Sequence, residues 1–319
     1  MPTATGDSRN AVMRIPAPAS ILATFSPLPF MVFEAGGNAI IDLSDAGSEI
    51  AEVHISPRDL PALRALLRRL LRAIVGNHDI SQADRSWAIH RAMLYETAAA
   101  FQQVNERIPT GHLLNVSLEA VRFQAHAAGT FPYLDIFFSV PYSSVTHAVK
   151  AALTAIALAS TDRRFGAAGM TAIAIGALFA DVSKLTMPTE ILMRDGPLNI
   201  DEWRLMRQHT IRSAEVMHRS GIVIPSALRA TISHHELTDG SGYPDMLRGD
   251  DIPMEARHVA IADIFSAMTA DRAFQARVDP FDALTEMSGD GGGGLDPSLL
   301  RTFVQLVGGL DSHDERQAA

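Results

Sequence analysis

Ser233-His234-His235-Glu236-Leu237-Thr238-Asp239-Gly240-Ser241-Gly242-Tyr243-Pro244 is the densest chemical signal in the chain. Adjacent histidines at a helix end cannot share one helix face, but they can aim two imidazoles at neighbouring points of a single cluster. The glycines that follow let the backbone turn tightly and approach a ligand closely, and Pro244 stiffens the exit. Downstream come Ile252-Pro253, Ala256-Arg257, Ile261-Ala262-Asp263-Ile264-Phe265 and Thr269-Ala270-Asp271-Arg272.

Composition limits what such a cluster can be. The chain has 319 residues, enough for one large domain and one small one, with 47% hydrophobic and 20% charged residues. A formal net charge of −9 argues against a general nucleic-acid or anionic-membrane binder. Cysteine is absent, so a metal site must be built from histidine and carboxylates, and the composition fits a cytoplasmic protein. The apolar stretches Ala151–Ala159 and Ala167–Ala180 fall short of the roughly 20 residues that cross a bilayer, and they read as buried helices rather than a membrane span. Lys150 and Lys184 are the only lysines, which draws attention to Lys184.

Residues 1–20 read as a disordered lead-in rich in Pro, Thr, Ser and Ala. Over 21–56 apolar and polar residues alternate around Gly36-Gly37-Asn38, predicting two or three strands and a hairpin. Ser56-Pro57 opens a helix whose face carries Leu60, Leu63, Leu66, Leu67 and Leu70. From Ser81 the spacing turns helical almost to the end, with segments near 81–104, 113–127, 144–160, 167–181, 200–219, 226–235, 255–271 and 296–309. The expected fold is therefore mainly α: a small α/β N-terminal domain over 21–80, a helical domain over 81–310, and a tail over 311–319.

The cluster and its downstream motifs resemble the HD-GYP family, a helical subclass of the metal-dependent HD phosphohydrolases that act on cyclic di-GMP. The family runs His-His-Glu, Asp-Gly-x-Gly-Tyr-Pro, Ile-Pro, Ala-Arg, Ala-Asp and a later Arg, all present here in order. Upstream, Phe179-Ala180-Asp181-Val182-Ser183-Lys184 looks like the family's His-Asp-x-Gly-Lys segment. His209 and His147 stand where it has further metal histidines, and Leu295-Asp296-Pro297 resembles the start of its closing helix. The resemblance covers about 85–310 and implies an HD-type helical domain. It implies a metal set of His147, Asp181, His209, His234, His235 and Asp263, holding iron or manganese. Asp181 and Lys184 would be catalytic, and Gly242, Tyr243, Pro244 and Arg272 would bind ligand. The implied ligand is cyclic di-GMP. A diguanylate cyclase domain or another signalling protein, and a second copy of the chain, are the protein partners that it admits.

Several positions depart from the family pattern. Ala180 replaces the histidine of the His-Asp pair, a direct metal ligand, so fewer ions and weak or lost hydrolysis are expected. Ser143 replaces a glutamate associated with a third ion, Ser183 a glycine, Phe274 a tyrosine and Gln275 a basic residue. Three functions fit: a ligand-binding signalling protein with impaired phosphodiesterase chemistry, a non-catalytic interaction module, and a phosphohydrolase for another nucleotide. His54, His90, His112, His126, His218 and His258 lack motif context and read as structural or surface residues. The literal pairs His78-Asp79 and His313-Asp314 lack the following lysine and read as decoys.

Overall fold

In the computed structural model the residues described are 15–23, 28, 32–33, 39–40, 52–127, 130–137, 142–194, 196–271, 276–289 and 293–308. Arg272, Phe274, Gln275, the hairpin tip at 34–38 and the pair His313-Asp314 lie outside them. The chain divides into two compact units, Met1–Ala88 and Ile89–Ala319. The division falls inside a helix, eight residues beyond the expected boundary at 80.

The first unit holds an antiparallel sheet of order β1-β4-β2-β3: β1 Ile15–Pro18, β2 Val32–Phe33, β3 Ala39–Ile40 and β4 Glu52–Ile55. The expected hairpin is present, with Val32 opposite Ile40 and Phe33 opposite Ala39. The expected disordered lead-in is corrected at its end. Ile15–Pro18 pairs with β4, and α1 follows at Ala19–Ala23. The physical reason is that β4 offers an unpaired edge, and Ala17, Ile21 and Leu22 are buried beside it. Ser56 caps the next turn by accepting from the Arg58 amide, and α2 (Leu60–Gly76) buries Leu63, Leu66, Leu67, Leu71 and Ile74 along one stripe.

The second unit is helical. After α3 (Gln82–Phe101) come α4 (Gly111–His126), α5 (Leu134–Phe137), α6 (Ser144–Ala159) and α7 (Ala167–Phe179). They are followed by α8 (Thr189–Leu192), α9 (Ile200–Arg207), α10 (His209–Arg219), α11 (Pro225–Ser233), α12 (Met254–Met268), α13 (Pro280–Ser288) and α14 (Pro297–Gly308). α7 is the hub, packed against α4, α6, α11 and α12. With the 3-10 turn that extends it, the run Ala167–Thr186 has 20 residues, longer than the stretch expected, and passes by length and composition alone as able to cross a bilayer; 67% of its most apolar 18-residue window is buried, in line with the buried-helix reading.

Two close approaches bring the site together. A Cβ on Gly176 of α7 would lie 2.6 Å from the Ala230 Cβ and 3.0 Å from the Ala227 carbonyl of α11, so glycine lets these helices nearly touch. Thr231 Oγ1 also donates to the Gly176 carbonyl at 3.0 Å. The C-terminal ends of α7 and α11, which carry Asp181 and the His234-His235 pair, are thereby held side by side.

Candidate metal centre

Six side chains from five segments converge. His147 comes from α6, Asp181 from the turn after α7, His209 from the start of α10, His234 and His235 from the end of α11, and Asp263 from α12. They fall into two donor sets, each with its ligand atoms within 4.8 Å of one another: Asp181, His209, His234 and His235 in one, and His147, Asp181 and Asp263 in the other. Asp181 belongs to both, so its carboxylate would be shared if each set held an ion.

The histidines are oriented by backbone carbonyls. His209 Nδ1 lies 2.6 Å from the Met206 carbonyl and His234 Nδ1 lies 2.8 Å from the Thr231 carbonyl. A carbonyl can only accept, so Nδ1 carries the proton and the lone pair sits on Nε2. His209, His234 and His235 all have buried Nε2 atoms without a hydrogen-bond partner. Buried polar atoms without partners are uncommon, and three histidines whose ligand atoms gather within 4.8 Å of one another and of a carboxylate oxygen fit a divalent cation. His209 Nε2 is 3.3 Å and His234 Nε2 3.8 Å from Asp181 Oδ1.

Electrostatics prepares these groups for coordination. Burial lowers the His234 pKa to about 4, with smaller opposing contributions from Asp263 and Asp181. Burial, then the neighbouring His234, holds His235 well below its ordinary value. Both imidazoles are therefore neutral near pH 7, the state in which they can coordinate a metal. Burial works against ionisation of Asp181, but Lys184, 2.7 Å from Oδ1, and then His209 and His147 overcome it and hold the acid well below the usual carboxylate range. Burial likewise opposes ionisation of Asp263, and its hydrogen bond and charge contact with His147, Nε2 to Oδ1 at 2.9 Å, reverse the balance. Cation-poor acidic pairs usually need such compensation to stay charged when buried.

The loop after α11 is built to lie against this cluster. A Cβ on Gly242 would come within 2.4–2.5 Å of the Leu237 nitrogen, Glu236 Cα and His235 oxygen. Without one, the Tyr243 amide donates to the His235 carbonyl at 3.1 Å and the phenol ring stacks on the His235 imidazole, 4.8 Å between centroids. Buried Glu236 holds the rest of the loop by accepting from the Asp245 and Leu247 amides at 2.7 and 3.0 Å. Pro244 follows in this same pinned loop.

The departures from the family pattern now have physical consequences. Ala180, 4% exposed, offers no donor. The set containing His147 has one imidazole and the other has three. The Ser143 hydroxyl is engaged in capping α6, accepting from the Thr146 amide at 3.0 Å. Ser183 has a role that sequence spacing alone did not reveal: its hydroxyl donates to the His209 carbonyl at 2.9 Å and its amide donates to Ser213 Oγ at 3.1 Å. It thus ties the Asp181–Lys184 turn to α10. Arg257 and Asp296 act away from the centre, as a buried 2.9 Å ion pair fastening α12 to the start of α14. Arg207, at the end of α9, lies 5.5 Å from the Tyr243 ring, a contact that sequence spacing did not indicate.

Comparison with known proteins agrees with this geometry. An HD domain family model matches residues 145–299. The chain is 35% identical over 126 residues to a 3′3′-cGAMP-specific phosphodiesterase of Vibrio cholerae, covering 39% of this chain and 24% of that protein. It is 31% identical over 138 residues to a cyclic di-GMP phosphodiesterase of Thermotoga maritima, covering 43% and 38%. The matched part thus spans less than half of either relative. Among solved structures, Bd1817, an HDG"Y"P protein of Bdellovibrio bacteriovorus, shares the fold at 14% identity with a TM-score of 0.63, covering 91% of this chain and 98% of that one.

Proposed function

We propose that this chain, whose residues 145–299 match an HD domain family model, is an HD-GYP-type protein that binds a 3′,3′-cyclic dinucleotide, cyclic di-GMP first among them, at a metal centre whose hydrolytic chemistry is impaired. The observation that carries this reading is the unequal pair of donor sets sharing Asp181. Imidazole with hard carboxylate donors suits iron or manganese. The three-histidine set holds one ion well, and the set left short by Ala180 holds the second weakly. An ion bound there supplies Lewis acidity toward a phosphoryl oxygen and lowers the pKa of a water molecule.

The chain's own residues do the remainder. Lys184, 2.7 Å from Asp181 Oδ1, would supply positive charge to a ligand phosphate, and Arg272 would add a second. Tyr243, whose close approach Gly242 permits, keeps its ring stacked on His235. Full turnover would be attack of water on a phosphodiester phosphorus with cleavage of the P–O3′ bond, the proton going to the leaving 3′ oxygen. Binding needs charge and shape only, so it survives a weakened second ion where turnover does not.

Elemental analysis and single-turnover hydrolysis of cyclic di-GMP test this on the native protein and on Ala180→His. The native chain is expected to hold fewer ions than its two donor sets allow and to cleave slowly or not at all, while the variant gains metal. Fast cleavage by the native chain, or unchanged metal content in the variant, would overturn the reading.

A further inference from the structure

An aromatic and cationic ladder runs outward from the metal centre along α9. Tyr243 stacks on His235 with an interplanar angle of 27°. The Arg207 guanidinium carbon lies 5.5 Å from the Tyr243 centroid and 5.6 Å from the Trp203 centroid. Trp203 and Arg207 are four residues apart and so share a helix face. Trp203 ends the ladder with its side chain 44% exposed.

The charges around the ladder leave Arg207 available. Glu202 pairs with Arg194, and Asp201 with Arg204. The Arg207 guanidinium makes no ion pair or hydrogen bond among the described residues, and it lies over the two rings. An arginine lying along a surface tryptophan can be ordinary covering of an apolar face. This pair differs because its other neighbour, Tyr243, rests on a candidate metal ligand. An exposed indole one contact beyond Tyr243 offers a face on which a base can stack. A guanidinium with no carboxylate partner has N–H donors to offer a ligand, and that fork matches the O6 and N7 acceptors of guanine. Adenine presents an N6 amino donor in place of O6 and cannot accept both bonds.

We propose that Trp203 and Arg207 form the subsite for one guanine base of the cyclic dinucleotide, with Trp203 stacking on the base and Arg207 donating to its O6 and N7 edge. This rests on the ligand class proposed above and adds which residues select the base.

The test exploits the presence of only two tryptophans. In a Trp87→Phe protein, Trp203 is the sole indole, and its emission should be quenched on titration with cyclic di-GMP. By calorimetry, Trp203→Ala should weaken cyclic di-GMP about ten- to hundredfold, while Trp203→Phe retains most of the affinity. Arg207→Gln should reduce the preference for cyclic di-GMP over cyclic di-AMP by about tenfold. Metal content should be unchanged in all of these proteins, since neither residue is a donor. If the native protein binds cyclic di-GMP while Trp203 emission stays constant and Trp203→Ala binds equally well, the subsite is wrong and the ligand class stands. If Arg207→Gln weakens both dinucleotides equally, guanine selection is wrong. If calorimetry detects no binding of cyclic di-GMP by the native protein, the ligand class fails and the subsite with it.

Discussion

Gly242 is the position where one added carbon does most harm. Its would-be Cβ meets three backbone atoms within 2.5 Å, and backbone cannot step aside as a flexible side-chain tip can. Gly242→Ala should therefore shift the loop, break the Tyr243–His235 contact and cost about 2 kcal/mol, read as a lower thermal midpoint. His90 is a different kind of residue, lying wholly buried with both ring nitrogens unpartnered. Burial, then Arg91 and Lys150, lower its pKa to about 3. The unfolded chain takes up this proton below about pH 6.5 and the folded chain refuses it down to about 3, so stability declines as pH falls through that window. At pH 5 the loss from this residue is about 2 kcal/mol. Leucine fills similar space without a titrating group. In His90→Leu the drop in urea-unfolding free energy between pH 7 and pH 5 should be smaller by about that amount, and an undiminished drop would show that other histidines dominate.

Helix α12 shows how motif residues can be architectural. Arg257 donates to the Ile252 and Gly249 carbonyls and pairs with Asp296, which itself accepts from the Ser298 and Leu299 amides at the start of α14. Removing one member leaves a buried charge uncompensated, so Arg257→Ala should lower the unfolding free energy by about 3–5 kcal/mol, with metal content per folded chain preserved. Equal stability of variant and native protein would remove that role. At this scale the sequence was most readable where apolar spacing is long and regular: α4, α6, α7, α11 and α12 lie close to the segments expected. The segment 200–219 was read as one helix but breaks at Gln208, because the Met206 carbonyl is engaged by the His209 imidazole. Short elements such as α5, α8 and α13 went unseen, since one or two turns carry little periodicity and are held by tertiary packing. The six His and Asp side chains that converge were each named through motif resemblance, and their proximity is what the structure adds. The roles of Ser183 and Arg207 were not legible, because their partners are distant backbone and ring atoms that spacing cannot reveal.

For the whole molecule, the decisive fact is that the donors sit on elements far apart in sequence. His147 precedes Asp263 by 116 residues, yet the two are 2.9 Å apart. A cation bound there closes long loops in the folded chain and has no comparable preformed site in the unfolded one, so its binding energy adds directly to stability. It also relieves the cost of three buried, unpartnered imidazole nitrogens. With free manganese at a hundred times its Kd, the expected gain is about 2.7 kcal/mol. The gain should appear in unfolding of the helical unit Ile89–Ala319, which holds every donor, and a transition of the Met1–Ala88 unit should stay where it is. A chelator should reverse the shift. His209→Ala removes a donor only from the three-histidine set and should abolish most of it, whereas Asp263→Asn, acting on the weaker set, should remove less. If both variants shift equally, the two sets bind with equal strength, and Ala180 does not have the consequence assigned to it.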